Sequence, residues 1–293
     1  MPGLFGAFRM LLNLDYMNYD LLRNKSVPIN QETALQISVD LCKTVNFAMQ
    51  QNYVPVVRKI TIENLSGTDY QNLLLSVETD PDIAGKWNFR IDLIPAGTSY
   101  PLEGIDLRLS ASRLFEFTER INGTLTATIA GEFSIIAYKK YDIAFLSYDE
   151  WSGSNTNPEF LAAFVTPNHP YISELFKRSE PLLEHWRGSY SFIGYQSKSP
   201  KDVKLQMAAI YASLQRENIS YSMPPASFES NGQKIRLCDI IREQKLGTCL
   251  DLTLLYASCL EAAGLNAMVV IVKGHAFIGC WLEEKFSQNT PEY

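Results

Sequence analysis

Two short stretches of this chain have residue types and spacing suited to chemistry: Gly247-Thr248-Cys249-Leu250-Asp251-Leu252 and Gly274-His275-Ala276-Phe277. Together they offer a thiol nucleophile and an imidazole base. A thiol attacks acyl carbons as its thiolate, and a neighbouring imidazole can take the proton and later return it to the leaving group. Thr248 and Asp251 have the Ser/Thr-x-x-Asp/Glu form of a capping box, which makes Thr248 the N-cap and Cys249 the first residue of a helix. Asp251 is then a capping acid rather than a reacting group. The helix dipole favours negative charge at such a position by ~0.3 to 1 kcal/mol. That is too little to activate a thiol, so the imidazole must supply the rest.

The elements that position the pair follow from the intervening residues. A helix from Cys249 ends at Gly264, a residue suited to a left-handed cap, with Leu265 placed to pack back on Leu260. Its length is about 22 Å at ~1.5 Å per residue. A strand over Asn266 to Lys273 returns about 26 Å at ~3.3 Å per residue, which brings His275 level with Cys249. Cys259 falls on another helix face, and Cys280 on the opposite strand face from His275, so both are expected in the core.

Composition sets the frame. The chain has 293 residues, 46% apolar and 20% charged, enough for one large core or two moderate ones. A formal net charge of −6 disfavours direct nucleic-acid binding and attraction to an anionic membrane. Five cysteines, Cys42, Cys238, Cys249, Cys259 and Cys280, are odd in number and include no CxxC pair, which points to a reducing, cytoplasmic setting. His169, His185 and His275 offer no metal-ligand spacing, and there is no phosphate-binding glycine loop, so no metal and no cofactor are expected. The apolar opening, Met1 to Leu14, is too short to span a bilayer and is interrupted by Arg9.

Four regions are expected. Residues 1–33 form a leader or short docked helix. Residues 34–148 alternate with period two at Leu35, Ile37, Val39 and Leu41; Ile60 and Ile62; Leu73, Leu75 and Val77; Phe89, Ile91 and Leu93; Ile105, Leu107 and Leu109; Leu125, Ala127 and Ile129; and through Ile135 to Phe145. With turn signals between the runs, that pattern predicts an immunoglobulin-like β-sandwich of about seven strands. Residues 149–157, polar from Ser152 onward, read as a linker. Residues 158–293 read as helices at about Pro170–Trp186, Pro200–Glu217 and Leu237–Glu243, then the helix and strand carrying the pair.

The segment from Gly247 to Asn266, together with Gly274-His-Ala-Phe-Ile-Gly-Cys-Trp-Leu282, resembles the transglutaminase-like superfamily of the papain-like cysteine peptidase clan. The resemblance covers roughly Pro158 onward, and its strong part is about 35 residues of this sequence. It implies an α+β fold with Cys249 as nucleophile and His275 as base. By analogy with papain-like enzymes, Gln244 is the candidate second oxyanion donor. The family's third residue, an Asp, Asn or Glu on the strand after the histidine strand, has no match. Glu283 and Glu284 are carried away from the cysteine, so the expectation is a C-terminally truncated domain. The wording of these motifs behind a β-sandwich also resembles the N-terminal region of large bacterial helicase-like proteins. That resemblance implies helicase and nuclease-like domains of a parent protein as partners, beside a protein or peptide substrate. The alternative is a catalytically inactive recognition or docking module.

Overall fold

A computed structural model of the chain describes residues 34–156 and 158–284. The leader expected at 1–33 lies outside the described residues. The first half contains β1 (Leu35–Leu41), β2 (Thr44–Val45), α1 (Phe47–Gln51), β3 (Val57–Asn64), β4 (Tyr70–Asp80), β5 (Trp87–Ile94), β6 (Ser99–Glu103), α2 (Ala111–Glu116), β7 (Ile121–Ala130) and β8 (Ile135–Phe145). These strands make a three-stranded sheet, ordered β1-β3-β6, and a five-stranded sheet, ordered β2-β8-β7-β4-β5. One apolar core holds both. Ile37, Ile60 and Ile62 come from the first sheet, and Leu75, Val77, Ile91, Leu125 and Ile129 from the second. Alternation produces this because the register sets Leu75 against Ile129 and Val77 against Ala127, so one face of each strand is apolar throughout.

Two strand expectations need correction. Ile105, Leu107 and Leu109 are buried, yet they form no ladder beyond a single bridge from Leu109 to Ala84. The sixth strand lies just upstream at Ser99–Glu103, where Tyr100 and Leu102 pair with Ile62 and Ile60. With that edge of β3 taken, the alternating residues bury themselves as extended chain. In β5 the buried residues are Ile91 and Ile94, while Leu93 is exposed. Opposite this stretch, Asn72 adopts a left-handed backbone (φ 53°), which breaks the regular pleat of β4 and with it the period of two across the pair.

The second half contains β9 (Glu150–Trp151), a 3-10 helix (Pro158–Phe164), α3 (Pro170–Arg187), α4 (Pro200–Gln215), β10 (Ser220–Tyr221), α5 (Phe228–Asn231), β11 (Gln233–Lys234), α6 (Cys238–Gln244), β12 (Leu246–Gly247), α7 (Cys249–Ala262), β13 (Ala267–Val272) and β14 (His275–Cys280). The chain is therefore α+β. Buried residues of α7 include Leu250, Thr253, Leu254, Leu255, Ala257, Ser258 and Cys259. A helix buried on so many sides must be covered on more than one. Here α3 and α4 contribute Tyr171, Leu175, Val203 and Ile210 against Leu255, Cys259 and Leu260, while Ala276 of β14 joins the cluster around Leu250 and Leu254.

The linker expected at 149–157 opens on paired chain rather than a free tether. Glu150 and Trp151 pair with Lys234 and Gln233, and Trp151 is fully buried. Arg120 holds Glu150, and Lys234 reaches the Thr118 carbonyl and Glu119, so the β-rich half is bonded to the rest at this seam. The two-residue strand Glu150–Trp151, just before the polar stretch, is too short to show a period in the sequence.

One buried side chain fixes the loop before α4. The Gln206 amide oxygen accepts from the N–H groups of Ile193 and Gly194, and its nitrogen donates to the Gly194 carbonyl and Asp202. Gln206→Leu would strand these backbone groups, each at a desolvation cost of ~1 to 3 kcal/mol. A loss of at least about 2 kcal/mol is expected in urea denaturation, with the m-value unchanged.

Candidate active site

The start of α7 is built by side chains that satisfy its orphan N–H groups. Thr248, extended at φ −79° and ψ 173°, accepts from Asp251 N–H, and the Asp251 carboxylate accepts from Thr248 N–H at 2.9 Å, completing the reciprocal cap. Asp251 is fully buried, and its other bonds are from Arg236 N–H at 2.9 Å and the Arg236 guanidinium at 3.1 Å. Cys249 is the first helical residue, 4% exposed. Its backbone N–H is among the first four of the helix, which have no intrahelical partner.

Upstream, the approach to Cys249 is clamped. Lys245 ends α6 in a left-handed conformation (φ 50°), and β12 then pairs in parallel with β10, setting Tyr221 opposite Gly247. Lys245 Nζ bonds Glu217 at 2.6 Å, and the same carboxylate takes Arg178 and the Tyr171 hydroxyl. Burial pushes the Glu217 carboxyl up, but the bonds from Lys245, Arg178 and Tyr171 outweigh it and leave its pKa below the ordinary value. With the folded value depressed, the stabilisation is complete above the unfolded glutamate range, near ~4.3, and is lost as pH falls through the folded value. Glu217→Gln is therefore expected to lower the melting temperature at pH 7 and to flatten the decline in stability below about pH 4. Parallel melts of the two proteins from pH 7 to pH 3 check this.

Cys249 sits in a cluster with Trp151, Leu161, Phe164, Phe228, Ile235, Leu250 and Ala276. The hairpin β13–β14 thus returns to the N-terminal end of α7, as the element lengths require. Gly274 (φ 72°) makes the turn, and Val272 pairs with His275. Ala276 is the strand residue facing the cysteine cluster, whereas His275 lies on the other strand face, exposed, with its ring stacked on Phe277 at 6.5 Å. Among the described residues no hydrogen bond or ion pair joins His275 to Cys249. Tyr221 also adjoins the thiol: burial, then the adjacent Cys249, raises its phenol pKa. Cys259 and Cys280 face the helical core, where burial raises the pKa of both thiols.

Gln244 does not join the site. It is the last residue of α6, exposed and without a bond to the cysteine, because the left-handed turn at Lys245 separates it from β12. The glutamine at the site is Gln233, 5% exposed, whose amide nitrogen donates to Thr248 Oγ1 at 3.0 Å. Beside it, Trp151 Nε1 and Gln233 Oε1 are buried with no partner among the described residues. Gly232 (φ 82°) lets these strands close up, since a Cβ there would stand 1.9 Å from the Trp151 carbonyl oxygen. Trp151, Gln233 and Tyr221 escape sequence reasoning because each lies in a two-residue strand.

Among the described residues no group of His, Cys, Asp and Glu is arranged to hold a metal, and no helix is long and apolar enough to cross a membrane. No family model matches the chain, and no curated protein matches it.

Proposed function

We propose that residues 158 onward form a transglutaminase-like thiol acyl-transfer domain behind an immunoglobulin-like sandwich, in a cytoplasmic parent protein of the bacterial helicase-like type. The observation that carries this reading is the placement of Cys249 as first residue of a boxed helix start, with the neighbour of His275 in its own cluster. The substrate is a protein or peptide, and the helicase and nuclease-like domains of the parent are the proposed partners. The reading assigns no role to nucleic acid or membrane contact.

In this reading the Cys249 thiolate adds to an amide or ester carbonyl. The resulting oxyanion is held by the Cys249 backbone N–H and by Trp151 Nε1–H, a buried donor with no other partner among the described residues. Collapse forms the thioester and expels the amine or alcohol, which takes its proton from the His275 imidazolium. Water or an amine then attacks the thioester, passes its proton to His275 and releases Cys249 as thiolate. For these steps the imidazole must swing from the outer strand face around the hairpin end that Gly274 forms.

The test is acyl trapping. The full chain treated with p-nitrophenyl acetate is expected to carry an acetyl group on Cys249 by peptide mapping, with none on that peptide in Cys249→Ala. Acetylation spread evenly over lysines and the other cysteines would sink the reading.

A second reading, a non-catalytic recognition module, is favoured by one observation: the His275 ring stacks on Phe277, away from the thiol. Under it, Cys249→Ser leaves the parent protein's function intact.

A further inference from the structure

The edge of β13 away from β14 carries a row of backbone groups with no partner. The parity is fixed by two bonds: Trp281 N–H donates to the Asn266 carbonyl at 3.3 Å, whereas the next residue's N–H, at Ala267, donates to Glu261 Oε1 at 2.8 Å. In an antiparallel pair bonded and non-bonded positions alternate. Asn266, Met268, Val270 and Val272 therefore bond toward β14, and the N–H and C=O groups of Val269 and Ile271 point outward. No described residue bonds them, and β13 pairs only with β14 among the described residues.

Along this edge lies a cavity of about 650 Å³ between β13, α7 and the 3-10 helix. Its walls are apolar, with Leu161, Val165, Ala257, Val269 and Ile271, and its mouth carries Glu159 and Glu261. Leu161 and the partly buried Val165, Val269 and Ile271 belong to the cluster that encloses Cys249. An exposed ladder of this kind is a template for another strand, with main-chain bonds giving affinity and alternate side-chain pockets giving specificity. The acidic mouth selects positive charge.

We propose that the β13 edge and this groove bind an extended peptide segment, with alternate apolar side chains in the groove and a Lys or Arg at its acidic mouth. The bound strand takes its hydrogen bonds from Val269 and Ile271. This deepens the acyl-transfer reading by naming how a substrate lies, and it rests on that reading only for the delivery of a carbonyl to Cys249.

Binding is measured on the full-length Cys249→Ala protein, so that failure of the chemistry and failure of the groove are separable. The probe is a fluorescently labelled peptide, Lys-Val-Thr-Val-Thr-Val-Lys, followed by anisotropy. Saturable binding is expected, weakened at least tenfold by N-methylation of alternate peptide nitrogens and by Ile271→Pro, which removes an N–H that the native ladder does not use. Glu159→Lys is expected to weaken it several-fold at low salt. No saturation at millimolar peptide, or equal affinity for the N-methylated peptide, overturns the proposal. A concentration-dependent dimer in sedimentation that dissociates with Ile271→Pro also overturns it, by giving the edge to a second copy. Val269 and Ile271 amides protected from exchange in the free monomer would give it to another segment of this chain, with the same consequence. Peptide binding together with unacylated wild-type Cys249 would retain the groove and reject the chemistry.

Discussion

Cys249 is expected to react with iodoacetamide at pH 7 at least ten times faster than Cys238, Cys259 or Cys280. Exposure alone predicts another order, because Cys280 is the only half-exposed thiol among the five and Cys249 is 4% exposed. What sets the order is the state of each sulfur. Burial raises the pKa of Cys238, Cys259 and Cys280, so these remain thiols at neutral pH and react slowly whatever their access. Cys249 alone among the cysteines stands at the N-terminus of a long helix, where the dipole and free N–H groups favour negative charge. Peptide mapping after short labelling times gives the order directly. Labelling led by Cys280 would show that access, not activation, decides.

Asp251→Ala is expected to lower stability by about 3 kcal/mol, in the range for breaking a buried ion pair, and the melting temperature by roughly 10 °C. The carboxylate is fully buried and accepts three bonds, from Thr248 N–H, Arg236 N–H and the Arg236 guanidinium. Removing it leaves two backbone donors unpaired and a half-buried cation without its counter-charge. The cap itself contributes ~1 kcal/mol and the stranded groups the rest. The same change frees the backbone at Cys249, so labelling of Cys249 should slow along with the loss of stability. A melting temperature within about 2 °C of the parent would mean that the capping box does not hold the helix start.

The start of α7, its cap, the Gly264 closure and the return strand were all legible in the sequence, because each rests on interactions within a few residues of one another. Leu265 N–H bonding the Leu260 carbonyl at 2.9 Å is the closure expected from Gly264. Most of the β-rich half was legible too, where alternation runs for five or more residues. What sequence reasoning missed depends on pairing between distant short segments. Trp151 meets Gln233 across a two-residue strand, and Tyr221 meets Cys249 through the β10–β12 pairing. Nothing local in Ser220-Tyr221 or Glu150-Trp151 distinguishes them from loops. The side to which His275 points was implicit in strand parity: Cys280 faces the helix, so His275, five residues before it, faces away. Matched element lengths bring backbones together, and parity decides which side chains meet.

The most direct test of the account is the rate of Cys249 alkylation at pH 7 in the native chain and in His275→Ala. Functional pairing predicts that His275→Ala slows Cys249 labelling at least tenfold while leaving Cys280 unchanged. Equal Cys249 rates in the two proteins would contradict it, leaving His275 a surface residue stacked on Phe277 and Cys249 a core cysteine.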